Sequence, residues 1–468
     1  MDDRSASFAL LRKSAEPAAA QAIEDLVEHG SDRALARINA LALASASGVA
    51  EEPMIAAFLH AARIGLFELS WNVLCPGCGG VLDASTTLKS IDRTEYDCAL
   101  CSAGYEATLD EMVEVSFTVS ERVRRIAAHS PDTLGMAEYM RQVFWSSGVD
   151  LPEDTEARVA DLTLDSLELP AGEKAILSLN LPPGFIIVFE PVTHATQFLE
   201  VEGEPTRERQ SLSMILNAVR SPTGTQKLRP GPFRVSFENR TGRRTLPALW
   251  MADDRLHDLL GRRRPFLTAK RLLTNQVFRD LYRADMLDID QKLKITSLTF
   301  MFTDLKGSTE LYDRVGDLAA FELVKAHFRV LTEIVASEAG AVVKTIGDAV
   351  MATFPTPDRA VAAALRIREA MRNLGHERQH DDLLLKIGIH AGPCLAVVLN
   401  DRQDYFGTTV NIAARVQALA DSRAILATGS VVADPQASNL LETSGLTPTA
   451  QSRALRGIAD EVAVYEIP

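Results

Sequence analysis

The sequence predicts an α+β multidomain protein, in which helical, cysteine-rich and β-rich segments precede a final mixed α/β domain. Its 468 residues are enough for two to four domains of ordinary size. The apolar pattern changes along the chain from helical spacing to short strand-like runs and back to helical spacing. Two Cys-x-x-Cys pairs separate the first helical part from the β-rich part.

Composition excludes several classes of protein. Hydrophobic residues make up 46% and charged residues 24%, which is typical of a soluble globular chain. The net charge of −14 disfavours nucleic acid and anionic membranes as partners. Charges or turn residues interrupt every apolar stretch, and the N-terminal MDDRSASFALLRK has no signal-peptide pattern. We therefore expect a cytoplasmic protein with neither a membrane nor a nucleic-acid partner.

The first segment, residues 1–70, has helical character. Ala18 to Val27 and Pro53 to Leu69 contain few β-branched residues and carry apolar positions at helical spacing. The stretch 48–65 is similar to half of a helix-turn-helix, and a small helical bundle is the plainer interpretation. DNA-binding regulation through this segment stays an alternative, against which the acidic charge argues.

The second segment, residues 71–108, contains four of the five cysteines. Cys75 and Cys78 form one Cys-x-x-Cys pair, and Cys98 and Cys101 form the other, nineteen residues later. In a cytosolic chain such pairs point to metal rather than to disulfides. Four thiolates at this spacing predict a zinc ribbon with one Zn²⁺ per chain. A site with four protein ligands has no open position, so a structural role is expected, and a redox or zinc sensor is the alternative.

Residues 109–251 predict a β-sandwich-like regulatory domain, because short apolar strands alternate with frequent turn signals. Residues 252–292 return to helical spacing and predict a helical linker to the last domain, residues 293–468. The predicted strands begin at Ile176, Phe185, Thr196, Leu212 and Phe233.

In the last domain a hydrophobic strand runs directly into Asp304. The turn and helix start Gly307-Ser308-Thr309 follow at once. A carboxylate beside the backbone amides of a helix N-terminus is suited to bind a metal-bound phosphate. Taken alone, a strand followed by a capped helix is a common pattern, so this stretch needs a second feature.

The second feature is a predicted hairpin with Asp348 at its tip. Two strand-like runs flank Gly347-Asp348, a dipeptide typical of tight hairpin turns. If this hairpin pairs beside the first strand, Asp304 and Asp348 converge. Two carboxylates that hold two Mg²⁺ or Mn²⁺ ions are what phosphoryl chemistry on a nucleotide requires. The plainer interpretation is a pair of unrelated turn aspartates.

Together these stretches resemble the class III nucleotidyl cyclases. FTDLKGST, KTIGDAVMATF, IGIHAGPCLAVVL and QDYFGTTVNIAARV match the family's motifs in the right order across residues 293–468. The resemblance implies a ferredoxin-like βαββαβ core. It also implies a head-to-tail homodimer with its active sites at the interface.

The resemblance implies roles for individual residues. Asp304 and Asp348 correspond to the ligands of the two metal ions. Lys344 and Asp404 correspond to the two purine-selecting positions, and a lysine with an aspartate suits adenine. ATP is therefore the expected substrate.

Asn411 and Arg415 match the family's transition-state pair, and their spacing of four residues places them on one helix face. Arg456 matches, loosely, a residue that holds the triphosphate. Gly307, Ser308 and Thr309 match the phosphate loop. That loop departs from the family, in which a hydrophobic residue and then Gly-Phe-Thr are common.

The leading hypothesis is an adenylate cyclase that forms 3′,5′-cyclic AMP and pyrophosphate and is regulated by its N-terminal segments. Alternatives are a cyclase for GTP or a pyrimidine triphosphate, and a catalytically silent nucleotide-sensing module. The presence of Asp304, Asp348 and Arg415 argues against the silent module. Residues 1–290 are also similar to an uncharacterised region that precedes some bacterial cyclase domains, which indicates no regulatory ligand.

Overall fold

The computed structural model describes residues 3–91, 95–217, 224–282, 293–305, 316–378, 384–399, 402–421, 424–451 and 462–468. The chain forms two compact units. Unit 1 comprises Met1–Thr86, Arg93–Ala107 and Glu111–Leu267, and unit 2 comprises Thr87–Asp92, Thr108–Asp110 and Thr268–Pro468. In the described part of the chain, none of the helices combines the length and apolar character that crossing a bilayer requires.

Unit 1 begins with four helices. The Asn39 side chain accepts hydrogen bonds from the backbone N–H groups of Leu41 and Ala42, which caps the third helix. The predicted helix Pro53–Leu69 is wrong in its last turn. Gly65 has a φ of +81°, which ends the helix, and the chain enters a strand at Phe67. The helices are α1 Asp3–Ser14, α2 Pro17–His29, α3 Ala40–Ser47 and α4 Glu51–Arg63.

A three-stranded sheet and a hairpin follow these helices. The sheet has the order β2-β1-β5 and is antiparallel, and the hairpin pairs β3 with β4. The strands are β1 Phe67–Leu74, β2 Val81–Ser85, β3 Glu95–Cys98, β4 Ala103–Glu106 and β5 Val113–Val119. Short helices follow at α5 Met136–Tyr139 and α6 Thr155–Leu162, with a π-helical turn at Met140–Phe144.

The β-rich part of unit 1 contains two sheets, with the orders β10-β12-β7 and β11-β9-β8-β13-β6. Apolar side chains of both sheets belong to one buried cluster, which includes Val188, Leu199 and Phe237. The strands are β6 Thr163–Ser166, β7 Lys174–Leu181, β8 Gly184–Glu190, β9 Ala195–Val201, β10 Gln210–Leu216, β11 Thr225–Leu228, β12 Gly231–Asn239 and β13 Ala248–Met251.

The segment predicted as a helical linker contains three short helices. They are α7 Asp254–Gly261, α8 Ala269–Leu273 and α9 Gln276–Leu281. The first belongs to unit 1 and the other two to unit 2. Residues 283–292, the end of the predicted linker, lie outside the described residues.

Unit 2 is built on one sheet with the order β15-β16-β14-β17-β19-β21-β20, and β18 pairs with β17. Its first six elements follow the order βαββαβ that was expected. They are β14 Leu293–Leu305, α10 Asp317–Ser337, β15 Ala341–Ile346, β16 Ala349–Phe354, α11 Pro357–Arg378 and β17 Leu385–Leu399. The later elements are β18 Arg402–Phe406, α12 Thr408–Leu419, β19 Ile425–Thr428, α13 Gly429–Val432, α14 Pro435–Thr443, β20 Thr449–Gln451 and β21 Val464–Ile467.

The sheet of unit 2 buries apolar side chains on both of its faces. Leu331 of α10 and Ile367 of α11 belong to the large cluster that includes Met301 and Ile389 of the sheet. Val416 of α12 belongs to a second, smaller cluster with strand residues. The functional side chains described below extend from the strand ends and turns of this sheet and from α12.

Candidate active site

The two aspartates predicted to bind metal lie at adjacent strand ends. Asp304 is the penultimate residue of β14, and Asp348 directly precedes β16. These strands are antiparallel neighbours, with Thr303 opposite Val350, so both carboxylates reach the same edge of the sheet. The predicted hairpin is present. Its two-residue turn has Gly347 at φ +64°, where glycine is favoured.

The surroundings of Asp304 raise its pKa above the ordinary value. Burial is the largest cause and the nearby negative charge of Asp348 is the second. Lys386, opposite Asp304 on β17, and a hydrogen bond from Gln417 act in the other direction. A divalent cation would stabilise the ionised form of Asp304 at this site.

Asp348 provides a test of whether a metal fits. Its Oδ2 atom is buried and accepts no hydrogen bond from any described residue. Buried carboxylate oxygens are nearly always paired, and hard divalent cations take oxygen ligands. The donor set of Asp304 and Asp348 therefore fits Mg²⁺ or Mn²⁺.

The two positions expected to select the purine form an ion pair. Lys344 of β15 donates from Nζ to Oδ2 of Asp404 in β18, and Oδ1 of Asp404 accepts a 2.8 Å hydrogen bond from the Tyr405 N–H. The side chain of Asp404 is 10% exposed and that of Lys344 is 40% exposed. A cavity of about 510 Å³ lies beside the pair and is also lined by Arg402. The pair therefore presents one donor and one acceptor next to a space that a ligand can enter.

A β-bulge contributes to the position of Lys344. The register of β15 against β16 shifts between Val342 and Lys344, which leaves Val343 as the extra residue. A bulge changes the direction of the side chains that follow it and is common beside active sites.

Asn411 and Arg415 lie on α12 four residues apart, as predicted. The side chain of Asn411 is exposed and that of Arg415 is half-buried. The same helix contributes Gln417, whose side chain hydrogen-bonds Asp304. Helix α12 packs closely on β17, since a Cβ at Gly388 would lie 2.1 Å from the backbone nitrogen of Gln417.

The four cysteines of the two Cys-x-x-Cys pairs come together. Their Sγ atoms all lie within 4.8 Å of one another, at 3.6 Å between Cys75 and Cys101 and 3.7 Å between Cys78 and Cys98. Four sulfurs around Zn²⁺ at about 2.3 Å would be separated by about 3.8 Å, so the cluster fits tetrahedral zinc. Hydrogen bonds with Cys101, Cys78 and Cys98 lower the pKa of Cys75. Hydrogen bonds with Cys101, Cys75 and Cys98 raise the pKa of Cys78, because neighbouring thiols cannot all ionise without a cation.

Gly307, Ser308, Thr309 and Arg456, which were predicted to bind phosphate, lie outside the described residues. Their roles stay predictions.

Family comparisons divide the chain at the end of α9. Residues 1–280 match a family of unknown function, DUF5939. Residues 291–447 match the adenylate and guanylate cyclase catalytic domain. The chain belongs to the DUF5939 family and carries a class III nucleotidyl cyclase domain.

Curated adenylate and guanylate cyclases are similar to this chain over the catalytic domain. An adenylate cyclase of Streptomyces coelicolor is 33% identical over 139 residues, which are 29% of this chain and 34% of that protein. Adenylate cyclase 2 of Rhizobium meliloti is 35% identical over 132 residues, 26% of this chain and 36% of that protein. Guanylate cyclase 32E of Drosophila melanogaster is 29% identical over 140 residues, 27% of this chain and 12% of that protein. The chain thus spans about a third or less of the length of these relatives.

Solved cyclase structures match a little more than a third of the chain. The adenylyl cyclase CyaB from P. aeruginosa is 22% identical, with a TM-score of 0.34, and the match covers 38% of this chain and 96% of that one. The guanylate cyclase domain of RhGC from Catenaria anguillulae is 21% identical, with a TM-score of 0.33, and the match covers 37% and 97%.

Unit 2 contains two further residues beside the Lys344–Asp404 pair that sequence reasoning missed. Arg279 of α9 is 8% exposed and donates to the carbonyl oxygens of Gln403 at 3.0 Å and Val343 at 3.4 Å. Gln276, one turn earlier, accepts a 2.9 Å hydrogen bond from the Val342 N–H. These contacts hold the backbone on both sides of the Lys344–Asp404 pair. An arginine in a short helix gives no sequence signal for burial, since arginine is rarely buried.

Proposed function

We propose that the protein is an adenylate cyclase, which converts ATP to 3′,5′-cyclic AMP and pyrophosphate. One observation carries the proposal: the Lys344–Asp404 ion pair belongs to the same sheet that brings Asp304 and Asp348 together at one edge. One sheet thus presents a base-reading pair and a metal-binding pair. The adenylate cyclases of Streptomyces coelicolor and Rhizobium meliloti, which match the same domain, support this substrate.

The Lys344–Asp404 pair supports adenine as the base. The Lys344 ammonium can donate to N1 of adenine, and the Asp404 carboxylate can accept from the N6 amino group. A site built to hydrogen-bond such groups rejects a base that leaves its buried polar atoms unpaired. Asp404 is nearly buried, so a base with an acceptor in place of the N6 amino group would set two acceptors against each other at this carboxylate.

Asp304 and Asp348 are the proposed ligands of two Mg²⁺ or Mn²⁺ ions. When bound, these ions lower the pKa of the attacking ribose hydroxyl and neutralise charge on the phosphates. The carboxylates would hold these ions at the edge of the sheet where β14 ends and β16 begins. Gly307, Ser308, Thr309 and Arg456 are proposed to bind the phosphates.

Asn411 and Arg415 are proposed to complete each active site across a homodimer interface. Asn411 would orient the ribose, and Arg415 would donate to the phosphate oxygens as negative charge develops on them. Both lie on one face of α12, and one chain carries both halves of the machinery. Two chains arranged head to tail would therefore form two complete sites.

The N-terminal DUF5939 region is proposed to regulate this reaction. It would contain a zinc ribbon, in which Cys75, Cys78, Cys98 and Cys101 hold one structural Zn²⁺, and a β-sandwich formed by its two sheets. Zinc would stabilise the fold of this region without taking part in chemistry, because four thiolates leave it no open position.

The proposal is tested by incubating the purified full-length protein with ATP, GTP, CTP or UTP and either Mg²⁺ or Mn²⁺. Products are identified by mass spectrometry. We expect cyclic AMP from ATP at a rate at least ten times that of any other cyclic nucleotide. A faster reaction with GTP would overturn the assignment of the base. No cyclic product from any nucleotide would overturn the enzymatic function.

A further inference from the structure

Unit 1 contains a cavity of about 740 Å³ that the proposed cyclase reaction does not use. Its wall is formed by the turns that bear Cys78 and Cys101, by β8 and β9, and by α7. The volume lies within the range of roughly 300–1,000 Å³ found for small-molecule sites. The cavity is therefore large enough for a ligand of two or three fused or linked rings.

Two aromatic rings give the cavity an apolar wall. Phe185 of β8 and Phe198 of β9 both line it, and their rings stack with centroids 5.8 Å apart and an interplanar angle of 24°. Phe185 is 40% exposed, although its neighbours Ile186 and Ile187 are buried. Covering such a ring with a flat apolar ligand would remove apolar surface from water and add ring stacking.

The side chains that line the cavity disfavour anions. Among the described residues that line it there is no lysine or arginine, and its ionisable side chains are Cys78, Cys101 and His257. An anion would lose its hydration there and gain no cationic partner.

One lining residue has an unusual backbone conformation. Ser102 follows Cys101 with a φ of +51°, in the left-handed region that non-glycine residues seldom adopt. Such positions persist where the surroundings fix them, and they concentrate at ligand sites. Here the turn places Ser102 at the cavity wall, where its hydroxyl group can pair with a polar group on a ligand.

We propose that this cavity is a binding site for an uncharged small molecule that contains aromatic rings. The site is distinct from the nucleotide site in unit 2, and its existence does not depend on the cyclase activity.

The test uses two dyes that share one ring system. N-phenyl-1-naphthylamine is neutral, and 8-anilino-1-naphthalenesulfonate carries a sulfonate. Each is titrated into the full-length protein at pH 8, where histidine is normally neutral, and fluorescence is recorded. We expect saturable binding of the neutral dye at one per chain, and a Kd at least ten-fold higher for the sulfonate. Equal affinity for both dyes, or no saturable binding, would overturn the proposal.

A matched pair of variants locates the site. Phe185→Asp places a carboxylate in the cavity wall, and Phe321→Asp makes the same change at a ring that is 57% exposed on α10 in unit 2. We expect the first to raise the Kd of the neutral dye at least ten-fold and the second to leave it unchanged. Ala252→Trp, which fills the cavity with a ring, should act like Phe185→Asp. Thermal unfolding and zinc content confirm that each variant is folded. If both cavity variants bind the dye like the wild type, the dye binds elsewhere and the assignment is wrong.

Discussion

Replacing Lys344 with methionine tests the hydrogen bond that Lys344 is proposed to donate to adenine. Methionine keeps most of the apolar stem and removes the ammonium that donates to Asp404. A hydrogen bond to a charged group contributes about 1.5–3 kcal/mol. The Lys344 side chain is 40% exposed, and solvent screening places the effect in the lower part of that range, at about 1.5–2 kcal/mol. Since about 1.4 kcal/mol is a factor of ten, kcat/KM for ATP should fall roughly 10- to 30-fold.

The assay measures kcat/KM for ATP and for GTP with the purified variant in Mn²⁺. We expect the ATP value to fall while the GTP value changes less than about three-fold, because the wild-type pair is arranged for adenine. Lys325→Met, at an exposed lysine on α10, is the matched control and should behave as wild type. The double variant Lys344→Met/Asp404→Asn should lose less kcat/KM for ATP than the losses of the two single variants predict together, since the residues form one pair. If folded Lys344→Met protein keeps kcat/KM for ATP within two-fold of wild type, Lys344 and Asp404 do not recognise adenine as proposed.

Three further predictions concern the interface, the cysteine cluster and a buried histidine. Asp304→Ala and Arg415→Ala should each be inactive, yet mixing them should restore activity, to about half the wild-type rate per heterodimer, because one of its two shared sites carries neither change. Absence of recovery despite subunit exchange, shown by native mass spectrometry, would place each site within one chain. Elemental analysis of protein purified without chelator should give one zinc per chain, and Cys98→Ser should lower both zinc content and the thermal midpoint. A well-folded wild-type protein without zinc would contradict this. Burial lowers the pKa of His390 to about 4, so the unfolded chain binds more protons than the native one between about pH 6.5 and 4. The stability that His390 contributes is therefore fully present above about pH 6.5, and about 3 kcal/mol of it is lost as the pH drops to about 4. The free energy of unfolding in urea is measured at pH 7.5 and at pH 5. His390→Gln should reduce the difference between the two values, and His29→Gln, at an exposed histidine, should not. An unchanged difference in His390→Gln would show that other groups cause the pH dependence.

Local signals predicted the strand ends and the hairpin well. The strand that ends at Asp304 and the Gly347-Asp348 turn are set by neighbouring residues, so their positions could be derived from a single stretch of sequence. The strands predicted from Ile176, Phe185 and Phe233 are also present, as β7, β8 and β12.

Long-range contacts could not be derived in this way. Lys344 and Asp404 are sixty positions apart, and only the family resemblance indicated that they act together. The parallel pairing of β10 with β12 depends on chain connections that no local pattern specifies. The helix predicted through Leu69 was wrong because its apolar spacing continues past Gly65, where backbone conformation ends the helix.

The attachment of α9 to the sheet of unit 2 limits which substitutions in homologues can change the positions of β15 and β18. The hydrogen bonds of Arg279 and Gln276 to Val342, Val343 and Gln403 involve backbone atoms of those three residues. Substitutions of the three side chains therefore leave the hydrogen-bonding groups in place. Loss of the attachment requires a change in the helix itself or a shift of the whole helix. Because α9 holds both β15 and β18, such a shift would move Lys344 and Asp404 together. A homologue that lacks Arg279 would therefore be expected to differ in apparent nucleotide affinity, even if it retained Asp304 and Asp348.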